Sequence, residues 1–149
     1  MANILHRLSI DAPLQRVQEL IATKEGVERW WTGCPVTGDD SVGGRMSVCF
    51  GNHERAAAVF EVAERTQQRV IWRCVDGPTD WLETRITYEL SPRRDGGTTM
   101  LFSHEGWAKE TEFMNGRSTN WASYLMSLKA GAETDAFAPY PQGEISRWD

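Results

Sequence analysis

The stretch KETEFMNGRSTNWASYLMSLKAGAET, residues 109–134, decides how this sequence reads. Met114, Trp121, Leu125, Leu128 and Ala132 follow one another at steps of seven, four, three and four, the repeat of a single helix face. Tyr124 flanks that stripe. The chain before it holds a series of alternating, strand-like runs, and a long amphipathic helix after such runs buries itself against their shared concave face. A helix closing a curved sheet leaves a pocket between the two, and that pocket is the functional expectation.

Working back from the helix, Thr98, Met100, Phe102 and His104 alternate with Thr99, Leu101, Ser103 and Glu105. Leu82, Thr84, Ile86, Tyr88 and Leu90 alternate with Trp81, Glu83, Arg85, Thr87 and Glu89, which assigns Trp81 to the outer face as an edge or rim residue. Val70, Trp72 and Cys74 share one face against Arg69, Ile71 and Arg73. Met46, Val48 and Phe50 form a hairpin with Ala58, Phe60 and Val62 through the turn residues Gly51, Asn52 and His53. A first strand over residues 3–10 has Ile4, His6, Leu8 and Ile10 on one face and Leu5, Arg7 and Ser9 on the other.

Between the first two strands, Asp11 offers a cap ahead of Pro13 for a helix carrying Leu14, Val17, Leu20 and Ile21. A short helical turn over residues 27–31 follows, and residues 32–44, rich in Gly, Asp, Pro and Ser, read as loop. The expected order is one strand, two short helices, five strands and one long helix, an α+β domain with an antiparallel sheet of about six strands. Residues 1–149 read as a single domain with an irregular tail over residues 136–149.

A net charge of -5 argues against a nucleic-acid surface or an anionic membrane as the main partner. No run of eighteen apolar residues spans a membrane, and the N-terminus lacks a secretory pattern. Cys34, Cys49 and Cys74 show neither CxxC nor metal-finger spacing, so buried reduced thiols and a cytoplasmic location are expected. Neither a cofactor nor a metal is expected, since two histidines without a third well-spaced ligand make a poor zinc site.

The order of elements, with particular residues, resembles the START-like or SRPBCC superfamily and its helix-grip fold. Within it, the chain is similar to the branch of activators of the heat-shock-protein ATPase, the AHSA type, which also looks polyketide cyclase-like. The likeness rests on Ile10-Asp-Ala-Pro13, the Trp30-Trp31 pair, Gly43-Gly44, Trp72, the strand over residues 81–90, Gly97-Thr98 and His104-Glu-Gly-Trp107. Trp121-x-x-Tyr124-Leu125-x-x-Leu128-Lys129 and Glu133-Thr134 complete it. The proline-containing tail looks like that of many uncharacterised bacterial members. The resemblance implies a curved sheet wrapped around a long C-terminal helix, with a cavity that binds lipids, polyketides, aromatic metabolites or other hydrophobic molecules. It also implies that carriers, cyclases, dehydratases and co-chaperone-like interaction domains share the fold.

For the ligand-binding wall, the inward register nominates Trp30, Trp31, Phe60, Trp72, Thr84, Tyr88, Phe102, His104, Trp121 and Leu125. Ordinary core packing is the alternative for each. His104, Tyr88 and His6 are the candidates for general acid–base work on a ligand carbonyl, with His6 and His104 approaching each other across a ladder of the first and last strands. No carboxylate is placed by the sequence to orient either ring, so core histidines are the competing reading and the balance leans away from an enzyme. Ligand access is expected through residues 32–44 and the turn over residues 76–81, with Trp148 at the surface or as a lid contact. Arg69, Arg73 and Arg85 face Glu61, Glu83 and Glu89 as cross-strand ion pairs on the outer sheet face. A homodimer is left open as a further partnership.

Overall fold

A computed structural model of the protein describes residues 1–51 and 56–147. Strand β1 (Ala2–Ile10) leads to helices α1 (Leu14–Ala22) and α2 (Lys24–Val27), and α2 continues into a wide π-helical turn over Glu28–Thr32. Strands β2 (Thr37–Gly38), β3 (Arg45–Val48), β4 (Ala58–Arg65), β5 (Arg69–Asp76), β6 (Arg85–Pro92) and β7 (Thr98–Trp107) follow, and helix α3 (Glu112–Thr134) closes the fold. The seven strands form one antiparallel sheet in the order β1-β7-β6-β5-β4-β3-β2. This is the helix-grip architecture, with one short edge strand more than expected: Thr37 and Gly38 pair with Ser47 and Met46 inside the segment read as loop.

The expected inner residues of β4 to β7 are buried, because alternation sends every second side chain under α3. All five residues of the α3 stripe are buried too, together with the polar Asn120 and Ser127. Thr111 caps α3 by accepting from the Met114 N–H at 3.1 Å. On the outer face, Arg73 pairs with Glu61 at 3.4 Å and Glu83 at 3.0 Å, and Arg69 with Glu89 at 3.6 Å.

Three local expectations need correction. Asp11 does not cap α1, whose N-cap is Pro13 with no side-chain hydrogen bond; the Asp11 N–H instead donates to Glu133 at 2.7 Å, tying the start of the chain to the end of α3. Trp81 is 5% exposed and Leu82 is 43% exposed, the reverse of their alternation. The reason is that β6 begins only at Arg85, after a 3-10 turn over Thr79–Trp81 and a left-handed Glu83 at φ 66°. His6 pairs with Phe102 and Ile4 with His104, so the two imidazoles are offset by two residues rather than opposed. The tail is irregular but firmly packed: Asn120 accepts from the N–H groups of Ile145 and Ser146, and Ser127 accepts from that of Ala138 at 2.8 Å. Asn52, His53 and Trp148 lie outside the described residues.

Candidate functional site

The Trp30-Trp31 pair sits in the π-helical turn, which turns both consecutive indoles inward. Trp30 is pinned behind α1, where its Nε1–H donates to the Leu20 carbonyl at 2.7 Å. Trp31 reaches into the hollow between sheet and helix, with ring centroids 4.9 Å from Trp121, 5.9 Å from Phe60 and 6.1 Å from Trp72. Phe102 lies 4.7 Å from Trp121, and Tyr88 is 5.1 Å from Trp72 and 5.4 Å from Phe102. Aromatic rings therefore fill most of the space that the sheet's curvature encloses.

What remains is a cavity of about 120 Å³ beside the N-terminal half of α3, lined by Trp31, Phe50, Trp81, Arg117, Asn120, Trp121, Tyr124, Tyr140 and Glu144. Its apolar wall comes from the π-helical turn, β3's far end, the turn before β6 and the middle of α3. Its polar rim comes from α3 and the tail. The Tyr140 N–H donates to the Trp31 carbonyl at 2.9 Å, which holds the tail against the wall. Gly33 makes that approach possible: it adopts φ 64°, and a Cβ there would stand 2.5 Å from the Tyr140 carbonyl oxygen.

Of the residues nominated from the sequence, Trp31 and Trp121 line this cavity. Trp30, Phe60, Trp72, Thr84, Tyr88, Phe102, His104 and Leu125 are buried among one another in the interior behind it. The turn expected at the mouth contributes Trp81, whereas the loop over residues 32–44 supplies no lining side chain. Phe50, Arg117, Asn120, Tyr124, Tyr140 and Glu144 also line the cavity and are not among the residues nominated from the sequence. A signal for the tail residues was present in Pro139 and Pro141, which stiffen the backbone on either side of Tyr140.

His104 is fully buried at the centre of a hydrogen-bonded relay. The Trp121 Nε1–H donates to its Nδ1 at 3.1 Å, so the neutral ring carries its proton on Nε2 and donates it to Thr84 Oγ1 at 2.7 Å. The Thr84 hydroxyl donates onward to the Trp81 carbonyl at 2.6 Å. Burial lowers the His104 pKa to about 3. Trp81 and Trp107 rings pack against the imidazole at 5.3 and 4.9 Å. Burial also holds the Tyr88 phenol well above its ordinary value. His6 is half-buried on β1, stacked 6.1 Å from Phe102, in an open groove beside Met126 and Ile145 of the outer α3 and tail surface. The three acid–base candidates thus stand in three separate surroundings, and none of them lines the aromatic cavity.

Residues 11–133 match the family model described as Activator of Hsp90 ATPase homolog 1-like protein. The fold is similar to the solution structure of the Aha1 dimer from Colwellia psychrerythraea, with 28% identity, a TM-score of 0.79, and coverage of 91% of this chain and 98% of that one. It is also similar to an HSP90 activator from Plasmodium falciparum, at 16% identity and a TM-score of 0.71 over 87% and 95% of the two chains. CalU16 from Micromonospora echinospora matches at 18% identity and a TM-score of 0.72 over 99% of this chain and 74% of that one. The last two likenesses concern the fold alone. No curated protein matches the chain. No helix among the described residues is long and apolar enough to cross a membrane.

Proposed function

The chain belongs to the Activator of Hsp90 ATPase homolog 1-like family, and from that premise and the cavity beside the N-terminal half of α3 we propose that it binds a small planar hydrophobic molecule, without catalysing a reaction on it. The observation that carries this reading is the wall of Trp31, Trp81 and Trp121 around a volume of about 120 Å³. Ligand pockets for drug-sized molecules run to roughly 300–1,000 Å³, while a dry cavity of about 150 Å³ holds benzene. The volume therefore favours a single ring over a lipid chain or an extended polyketide. Against catalysis stand the enclosure of His104, with both ring nitrogens occupied, and the buried phenol of Tyr88.

The test is titration of the protein with toluene, read by tryptophan fluorescence and by melting temperature. Saturation at a hundred times Kd is expected to stabilise the fold by about 2.7 kcal/mol and to quench the indoles at the wall. Native mass spectrometry of freshly purified protein would show a retained ligand by its mass. Toluene that neither quenches the indoles nor raises the melting temperature would overturn the reading.

A second reading is an interaction domain that works through the outer sheet face. It is favoured by Leu5 and Leu101, exposed at 69% and 47% on a shallow hollow of β1 and β7, and by the dimeric state of the Colwellia psychrerythraea relative. Self-association that persists while toluene occupies the cavity would support it as a separate property.

A further inference from the structure

The sheet ends in two unlike edges. On one side lies β2, only two residues long and too short to template another strand. On the other lies β1, nine residues without a proline and with Arg7 as its one permanent charge, and among the described residues no strand lies beyond it. Backbone groups along a strand point alternately to its two sides, and contacts at the C-terminal end of β1 fix the phase. The Ile10 carbonyl faces Gly97, just before β7, where a Cβ would stand 2.7 Å from it. The Ser9 carbonyl and the Asp11 N–H point the other way and are taken by Lys129 and Glu133 of α3. Even-numbered residues of β1 therefore bond to β7, and the N–H and C=O groups of Asn3, Leu5 and Arg7 face the free edge. The side chains of the same three residues are exposed on the outer face.

We infer that β1 pairs antiparallel with β1 of a second copy of this chain, about a two-fold axis at Leu5, joining two sheets into one. This pairing rests on the interaction reading proposed above and names its partner and its strand. An axis at Leu5 sets that residue against its own copy and Asn3 against the partner's Arg7, so all three free positions of the edge are used. An axis at Arg7 would oppose two guanidiniums, and one at His6 would bring Asn3 to Ser9, whose carbonyl Lys129 already holds. Charge favours the Leu5 register as well. Neither Arg7 nor Glu105 makes an ion pair among the described residues. Asn3 lies beside Glu105 of β7, so the partner's Arg7 comes into line with that carboxylate, two strand spacings or about 10 Å away, a gap that the two side chains span. On the inner side, the groove between β1 and α3 runs past His6, Ala122, Met126 and Ile145, and no charged side chain lines it among the described residues. Met126 and Ile145 are 59% and 63% exposed there, an apolar flank for the joined strands.

Sedimentation velocity of the unmodified protein is expected to show a dimer at concentrations below about 1 mM. The register is read by NMR on a mixture of isotope-labelled and unlabelled chains, which selects signals that pass between copies. A nuclear Overhauser effect between Ile4 Hα of one chain and His6 Hα of the other is expected. An axis at Leu5 makes these two residues a non-hydrogen-bonded pair with Cα atoms about 4.5 Å apart, whereas along one strand they stand about 7 Å apart. Leu5→Lys places two cations against each other at the axis and is expected to weaken the dimer at least about tenfold. Its far-ultraviolet circular dichroism is expected to match that of the unmodified protein, because the Leu5 side chain is 69% exposed. A dimer that lacks the Ile4–His6 effect overturns the edge pairing and leaves self-association through another part of the sheet standing, and so does one equally tight in Leu5→Lys. A chain that stays monomeric at about 1 mM overturns the edge pairing together with the self-association expected of the interaction reading.

Discussion

At the residue scale, His104 illustrates how a titratable side chain becomes structural. It sits on an inner strand position, the place where an acid–base group facing a ligand would be sought, yet it accepts from Trp121 and donates to Thr84 within a shell of indoles. Its pKa of about 3, lowered by burial, means that the native state refuses a proton that the unfolded chain takes up near 6.5. In that window the unfolded state binds more protons, so stability rises with pH. The contribution is fully present above about 6.5 and is lost as the pH falls, at about 1.4 kcal/mol per pH unit, until the native ring itself protonates near 3. His104→Asn is expected to flatten the fall in urea-unfolding free energy between pH 6.5 and 5. Below that range the carboxylates of Asp39, Asp95 and Glu133, whose pKa values are lowered by hydrogen bonds, add their own losses. An unchanged slope in the variant would show that another group carries the pH dependence.

At the element scale, α3 does two jobs on two faces. Its apolar stripe fills the sheet's hollow, while Asn120 and Ser127 hold the tail through backbone groups. Gly131 belongs to the second job. In an exposed helix interior, alanine in place of glycine gains roughly 1 kcal/mol from propensity. Here a Cβ would collide with the Phe137 ring, which lies under the Arg29 guanidinium at 4.5 Å from its centroid. Gly131→Ala is therefore expected to lower stability by about 1–3 kcal/mol, the cost of overpacking, instead of raising it. Thermal unfolding of the pair measures the sign. A more stable variant would mean that Phe137 moves aside without loss.

At the scale of the whole molecule, the first and last segments of the chain meet around the ends of α3. The Asp11 N–H donates to Glu133, Lys129 donates to the Ser9 carbonyl at 2.7 Å, and Arg16 donates to the carbonyls of Gly131 and Ala132. The tail then returns over the cavity and supplies Tyr140 and Glu144 to its rim. Ending the chain at Asp135 removes those contacts and exposes Trp31 and Tyr124 to water. We expect such a truncation to lose about 2–4 kcal/mol of stability and to shift tryptophan emission to the red, with the far-ultraviolet circular dichroism of sheet and helix retained. An unshifted emission spectrum would mean that the wall stays dry without the tail.

The sequence by itself determined the order of the elements other than the short edge strand β2, the inward faces of β4 to β7 and the buried stripe of α3. Those features are periodic, and a period of two or of three to four residues is written in neighbours along the chain. Tertiary structure alone decided which aromatic residues pack solid and which border empty space, because a cavity is the small difference between the volume a curved sheet encloses and the side chains that fill it. It also turned Trp81 inward, through a left-handed Glu83 that breaks the alternation before β6 begins, and it brought Tyr140 and Glu144 to a site otherwise built from residues 31–124. No local pattern encodes either event. Both depend on contacts between segments far apart in the chain.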